Sequence, residues 1–262
     1  MSFKFDFSRF KDELAKHFRK EHHIVTEDLI RYWFIQTHSQ NGMSSTEVPY
    51  IREKEDKSIT PLISSKNKPK LIPIIHKGGK KSYRVRADLY YGDINNNCEQ
   101  IEGELDCVFE FKYHRRTRYS DCCTGTDCGS VFGDLNRLSI LDNKEKYFVY
   151  VFDDNMYDEY YAKKTKDIFS LFKILDGEQK SLSLFDVKNF DKDIFNESSY
   201  VANKNFGEIK KGAFNQFKGP CRFADFNYQV KVLYSGIICS KNVTEWGKPK
   251  TKSYYLIICQ VI

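Results

Sequence analysis

The chain has no uninterrupted apolar run near the ~18–20 residues that a helix needs to cross a bilayer, so a membrane-spanning helix is not expected. No secretory signal is expected either. Ser2-Phe-Lys-Phe-Asp-Phe-Ser-Arg is charged and amphipathic, and the expectation is a cytoplasmic protein. Without export, the eight cysteines read as reduced thiols and not as a disulfide framework. Asn196-Glu-Ser and Asn242-Val-Thr then carry little meaning as glycosylation patterns. Paired cysteine sets of the zinc-site kind are missing too. Cys122, Cys123 and Cys128 give at most three ligands, and Cys98, Cys107, Cys221, Cys239 and Cys259 are scattered. Free cysteines are expected, with Cys107 facing a core. No repeat, low-complexity block or linker divides the chain, so residues 1–262 are read as one domain.

What is present is aromatic and unevenly charged. The chain has 21 Phe and 17 Tyr, and 40% of it is hydrophobic, enough for a sizeable core. The net charge is only +6, but residues 66–86 hold eight Lys or Arg and no acid. Lys112 to Arg118 adds four cations and His114. A one-signed stretch of this kind suits a polyanionic partner; the plainer reading is a solvated loop.

Phe3, Phe7, Phe10, Leu14 and Phe18 recur at helical spacing and predict an amphipathic helix over 3–20. Thr26 is a natural N-cap for a second helix to about Thr37, with Glu27 and Asp28 in its first turn. Short strands are expected near 48–52 and 71–75, then strands at 83–91 and 104–113. Val131, Leu135 and Leu138 predict a helix over 130–142. The apolar run Tyr147-Phe-Val-Tyr-Val-Phe reads as a buried central strand, joined to its predecessor by a right-handed crossover and parallel to it. Residues 167–175 are expected to be helical. Two strands, at about 228–238 and 253–262, lie in a β-rich extension over 176–262.

The chemistry concentrates in Arg86-Ala-Asp-Leu-Tyr-Tyr-Gly and Cys107-Val-Phe-Glu-Phe-Lys-Tyr. Side chains alternate along a strand, so Glu110 and Lys112 share one face, and Cys107, Phe109, Phe111 and Tyr113 share the other. Asp88 lies on the polar face of the preceding strand, opposite the face of Leu89 and Tyr91. Two carboxylates and a lysine can then meet at a polar sheet edge and hold a hard divalent cation through oxygen. Exposed cross-strand pairing of Glu110 and Lys112 is the alternative. Asp134 and Arg137, three apart on a helix, read as a surface ion pair, with a contact behind the site's ligands or to a DNA backbone as the alternative, and His114 reads as a surface residue in preference to a general base.

Asp88, the Glu110-x-Lys112 pair and a helical Glu27 resemble the PD-(D/E)XK nuclease superfamily, whose fold is the restriction-endonuclease-like α/β fold. The resemblance covers roughly residues 24–155. Glu53 stands where a polar residue can enter the first strand, and Gly133-Asp-Leu-Asn-Arg-Leu is similar to an Asp-x-x-Arg-Leu pattern of several such families. A departure is the 21-residue gap between Asp88 and Glu110, which leaves Glu104 and Asp106 open as rival carboxylates.

The resemblance implies a Mg²⁺-dependent nuclease, with Mn²⁺ as an alternative cation. Its ligands would be Asp88 and Glu110, with Lys112 and Glu27 beside the attacking water. DNA is the implied partner, with RNA left open. Its backbone would follow Lys77, Lys80, Lys81, Arg84 and Arg86, and then Arg115, Arg116 and Arg118. A homodimer would suit double-strand cleavage. The other reading is a catalytically silent nucleic-acid-binding or assembly module of the same fold.

Overall fold

The computed structural model describes residues 5–21, 25–38, 44–49, 51–53, 59–61, 70–71, 74–75, 81–82, 86–91, 107–114, 131, 134, 135, 138, 145–157, 180–183, 221–222, 229–245 and 247–262. They form a mixed α/β fold on a seven-stranded mixed sheet. In chain order its strands are β1 (Ser44–Pro49), β2 (Arg86–Tyr91), β3 (Cys107–His114), β4 (Glu145–Asp153), β5 (Lys180–Ser183), β6 (Gln229–Glu245) and β7 (Lys248–Val261). Across the sheet the order is β1-β2-β3-β4-β7-β6-β5. The β3–β4 pair is parallel, as the crossover rule requires, and the remaining neighbours are antiparallel. Three short two-stranded ribbons lie apart from the sheet. The expected helix over 167–175 lies outside the described residues.

Two helices cover one face. α1 (Phe7–Glu21) starts later than the phenylalanine spacing alone indicates. Asp6 sets the boundary: its carboxylate accepts from Arg9 N at 3.0 Å, and its carbonyl accepts from Phe10 N. Phe10, Leu14 and Phe18, four residues apart, are fully buried. α2 (Glu27–Thr37) begins as expected, with Thr26 Oγ1 accepting from Leu29 N at 3.3 Å. Its Ile30, Trp33 and Phe34 enter the same core. Phe34 is central there. Its ring lies 4.9 Å from Phe10, 4.6 Å from Phe109 and 5.3 Å from Phe111. Truncating so buried a ring costs about 3–5 kcal/mol.

The sheet's two faces separate by alternation. Cys107, Phe109 and Phe111 of β3, Tyr147, Val149 and Val151 of β4, and Leu256 and Ile258 of β7 pack against α1 and α2. Val108, Phe148, Tyr150, Phe152, Ile257 and Cys259 are buried on the opposite face. Helical Val131, Asp134, Leu135 and Leu138 are fully buried as well. The 3.1 Å contact between Asp134 and Lys112 sets that helix against the second face. Burial on both faces explains why β4 is a continuous apolar run instead of an alternating one.

The last two strands extend beyond the expected bounds and belong to the same sheet, since β7 pairs with β4. They form one long hairpin whose turn carries Gly247 at φ +74°, a conformation that favours glycine. Residues 239–252 escape the strand pattern in the sequence because there the hairpin runs past the end of β4. Lys, Thr and Asn replace the apolar alternation in this solvent-facing stretch.

Candidate functional site

β2 and β3 pair through Leu89↔Phe109, Tyr90↔Val108 and Tyr91↔Cys107. Glu110 and Lys112 share the face away from α1 and α2, and this register, carried one step past its last pair, brings Asp88 alongside Glu110. The ladder stops at Leu89, and the Asp88 side chain takes over from it. Its Oδ2 accepts from Phe111 N at 2.7 Å. The aspartate thus replaces a backbone acceptor where β2 leaves β3, which fixes its carboxylate over the strand.

α2 supplies the next two groups. Its first turn stands by the C-terminal end of β3, where Glu27 Oε2 accepts from Tyr113 N at 3.1 Å and lies 3.7 Å from Lys112 Nζ. One turn further along the same helical face, Arg31 Nη1 donates to the Asp88 carbonyl at 3.0 Å and lies 3.7 Å from Asp88 Oδ1. Arg31 also pairs with Asp28. On the other side, Lys112 Nζ meets Asp134 Oδ2 at 3.1 Å. Lys112 is thus clamped between a carboxylate from α2 and one from the helix after β3.

Two expectations need correction. Arg137 lies outside the described residues, and Asp134 is not at a surface. It is fully buried, and its partner is Lys112. The i,i+3 rule considers one helix alone and misses the sheet beneath it. Glu110 does not stand on an open polar edge either, being only 1% exposed. The helix carrying Asp134 and Leu135 covers that face. His114 is half-buried, with Nδ1 2.9 Å from Tyr150 Oη.

Burial sets the electrostatics. Three carboxylates, from Glu27, Asp88 and Asp134, share this region with the cations of Lys112 and Arg31. Loss of solvation pushes the Glu27 carboxyl up, Lys112 pulls it down, and the charges of Asp88 and Asp134 push it up further. Asp88 is also raised, first by burial, against the Phe111 N–H bond and with Asp134 adding repulsion. An excess of crowded, desolvated anions is relieved by a bound cation.

The described residues hold no group of three His, Cys, Asp or Glu that forms a ready-made metal cage. Mg²⁺ does not require one; one or two carboxylates plus substrate phosphate and water are its usual ligands. The excess of negative charge around Glu27, Asp88 and Asp134 fits such an ion.

The structure brings Glu27, Asp88 and Lys112 together across α2, β2 and β3, with Glu110 buried two residues before Lys112 on the same strand face. Sequence reasoning missed Arg31, although its spacing four residues after Glu27 was visible. Lys77, Lys80, Arg84, Arg115, Arg116 and Arg118 lie outside the described residues, as do Glu104, Asp106, Arg137, Cys98, Cys122, Cys123 and Cys128. Lys81 falls in the short Lys81–Ser82 strand, Arg86 opens β2, and Glu53 closes the short Ile51–Glu53 strand. Cys107, Cys239 and Cys259 are buried and in no disulfide. Among the described residues no helix is long and apolar enough to cross a membrane. No family model, no curated protein and no solved structure matches the chain.

Proposed function

We propose that this chain is a Mg²⁺-dependent nuclease that hydrolyses DNA phosphodiester bonds, with a restriction-endonuclease-like fold. The observation that carries the reading is the Asp88 carboxylate held on Phe111 N of β3, beside Lys112, which Glu27 and Asp134 clamp. The order of parts agrees with it: a helix, three antiparallel strands, a helix and a parallel strand.

A phosphodiester is anionic and resists attack by water, so catalysis must offset charge and orient a nucleophile. Asp88 and Glu110 are the residues that would hold Mg²⁺. When bound, the ion supplies a lowered pKa for water and compensation of charge on the phosphoryl oxygens. Lys112 orients the attacking water or contacts the phosphate. Asp134, 3.1 Å away, aims its ammonium. Glu27 takes a water proton or steadies that water through hydrogen bonding. Arg31 fixes Asp88 through its carbonyl and thereby positions a ligand without touching substrate.

The test is cleavage of supercoiled, linear and single-stranded DNA in Mg²⁺, in Mn²⁺ and in chelator. Asp88→Asn and Glu110→Gln keep the shape of the site and remove a ligand charge. Both are expected to abolish metal-dependent cutting while circular dichroism stays native. Unchanged turnover in either purified variant overturns the assignment.

A further inference from the structure

A second feature sits at the same end of the sheet as the carboxylates. The β4–β7 pairing ends at Asp153↔Tyr254, yet β7 extends back to Lys248. Residues 248–253 and their partners on β6 therefore overhang β4 by roughly 20 Å, at ~3.3 Å per residue. β3 is parallel to β4. The overhang thus leaves the sheet at the end of β3 that carries Lys112 and Tyr113.

The overhang has two unlike faces. Lys241↔Lys252, Val243↔Lys250 and Glu245↔Lys248 lie on one. Ser240↔Ser253, Asn242↔Thr251 and Thr244↔Pro249 lie on the other, which carries no charge. At the base, Lys252 is buried against Asp153 at 2.9 Å, and Lys241 donates to the Phe18 carbonyl. Further out, Lys248 is exposed, and Lys250 is 41% exposed at 3.6 Å from Asp154.

Phe18 joins this face to the site. Its ring lies 4.5 Å from Tyr254 and 5.8 Å from Tyr113, whose backbone N–H is bound to Glu27. The next two residues, Arg19 and Lys20, are exposed. Lysines on an overhanging strand also discourage sheet-to-sheet pairing. That role requires neither a single charged face nor added cations from α1.

We propose that Arg19, Lys20, Lys248 and Lys250 form a surface for the phosphate backbone of duplex DNA, one aromatic layer away from the carboxylate site. The choice of DNA as the polyanion rests on the nuclease reading above. The hairpin and the last turn of α1 supply the cations from the helix-covered side of the sheet, at the end where Glu27 meets Lys112.

The test measures binding without cutting. Anisotropy of a labelled duplex is followed in chelator from about 50 to 200 mM salt for the wild type, Arg19→Ala/Lys20→Ala and Lys248→Ala/Lys250→Ala. Each phosphate contact contributes roughly 0.9 to the slope of log affinity against log salt, so each double variant should flatten it by about 1.8. Over that fourfold range the variant's loss of affinity becomes about twelvefold smaller than the wild type's. Thr244→Ala, on the neutral face, should leave affinity and slope unchanged.

Wild-type affinity and slope in both double variants overturn the proposal. If metal-dependent cleavage persists in that case, the nuclease reading stands without it. Slope loss in a protein that never cuts DNA keeps the binding surface and removes the nuclease reading. No binding of duplex by the wild type, or tighter binding of single strands or RNA, overturns the duplex assignment.

Discussion

Replacing Lys112 tests whether the site is as costly to the fold as its geometry indicates. Lys112→Met keeps the apolar stem and removes the ammonium. Asp134, fully buried and 3.1 Å away, then loses the cation that compensates its charge, and Glu27 loses its partner at 3.7 Å. Breaking a buried pair from one side typically costs 3–5 kcal/mol, because the remaining charge stays desolvated. Lys112 is 18% exposed, which admits some screening, so about 3 kcal/mol is the expected loss. In a chain of this length, where 1 kcal/mol moves the melting temperature by about 2–4 °C, Tm should fall by roughly 6–12 °C. The double variant Lys112→Met/Asp134→Leu removes both charges. It should regain most of that loss, since an apolar replacement of a buried pair is often neutral or stabilising. Neither variant should recover cleavage. Thermal melts by circular dichroism, run on the wild type, both variants and Asp134→Leu alone, complete the cycle. If Lys112→Met melts with the wild type, or if the double variant is as unstable as the single, the clamped-lysine account fails.

Thr26→Ala removes the cap that sets the start of α2 and the position of Glu27. It should cost about 1 kcal/mol and lower turnover, checked by denaturant melts and initial rates. His38 gives a pH dependence. Its Nε2 accepts from Asp6 N, its Nδ1 lies 2.9 Å from the Phe34 carbonyl, and burial holds it below its ordinary value of 6.5. The unfolded chain therefore binds this proton more readily, and the neutral ring's contribution is present above about pH 6.5 and fades as pH falls through it. The stability difference between wild type and His38→Asn should shrink from pH 8 to pH 5; a pH-independent difference contradicts the account. Lys77→Ala/Lys80→Ala/Lys81→Ala should flatten the salt slope of DNA binding by up to about three units, and an unchanged slope assigns that stretch to solvent.

Much of this was legible in the sequence because it depends on local rules. Thr26 followed by Glu27 and Asp28 states a helix start. The alternation through Cys107–Tyr113 separates a core face from the face of Glu110 and Lys112. Asp134 was not legible as the partner of Lys112, because 22 residues and a crossover separate them. Nothing in an i,i+3 pattern reveals which sheet face a helix will cover. Arg31 was overlooked for a similar reason: its acceptor, the Asp88 carbonyl, is a backbone atom 57 residues away. The hairpin's outer half was missed because strand patterns arise from apolar burial, and its buried residue there, Lys252, is charged.

The place of β7 also bears on how the chain is made. Tyr254, which pairs with Asp153, follows it by about a hundred residues. Synthesis proceeds at roughly 5–20 residues per second, so β4 waits about 5–20 s for the strand that covers its edge. β4 is also the most apolar strand, carrying Tyr147-Phe-Val-Tyr-Val-Phe without a charge or a proline. A bare edge of that composition is a template for intermolecular pairing. Nascent chains are therefore most vulnerable in the interval between β4 and β7, and holding that edge is where a chaperone does most for the yield of folded protein.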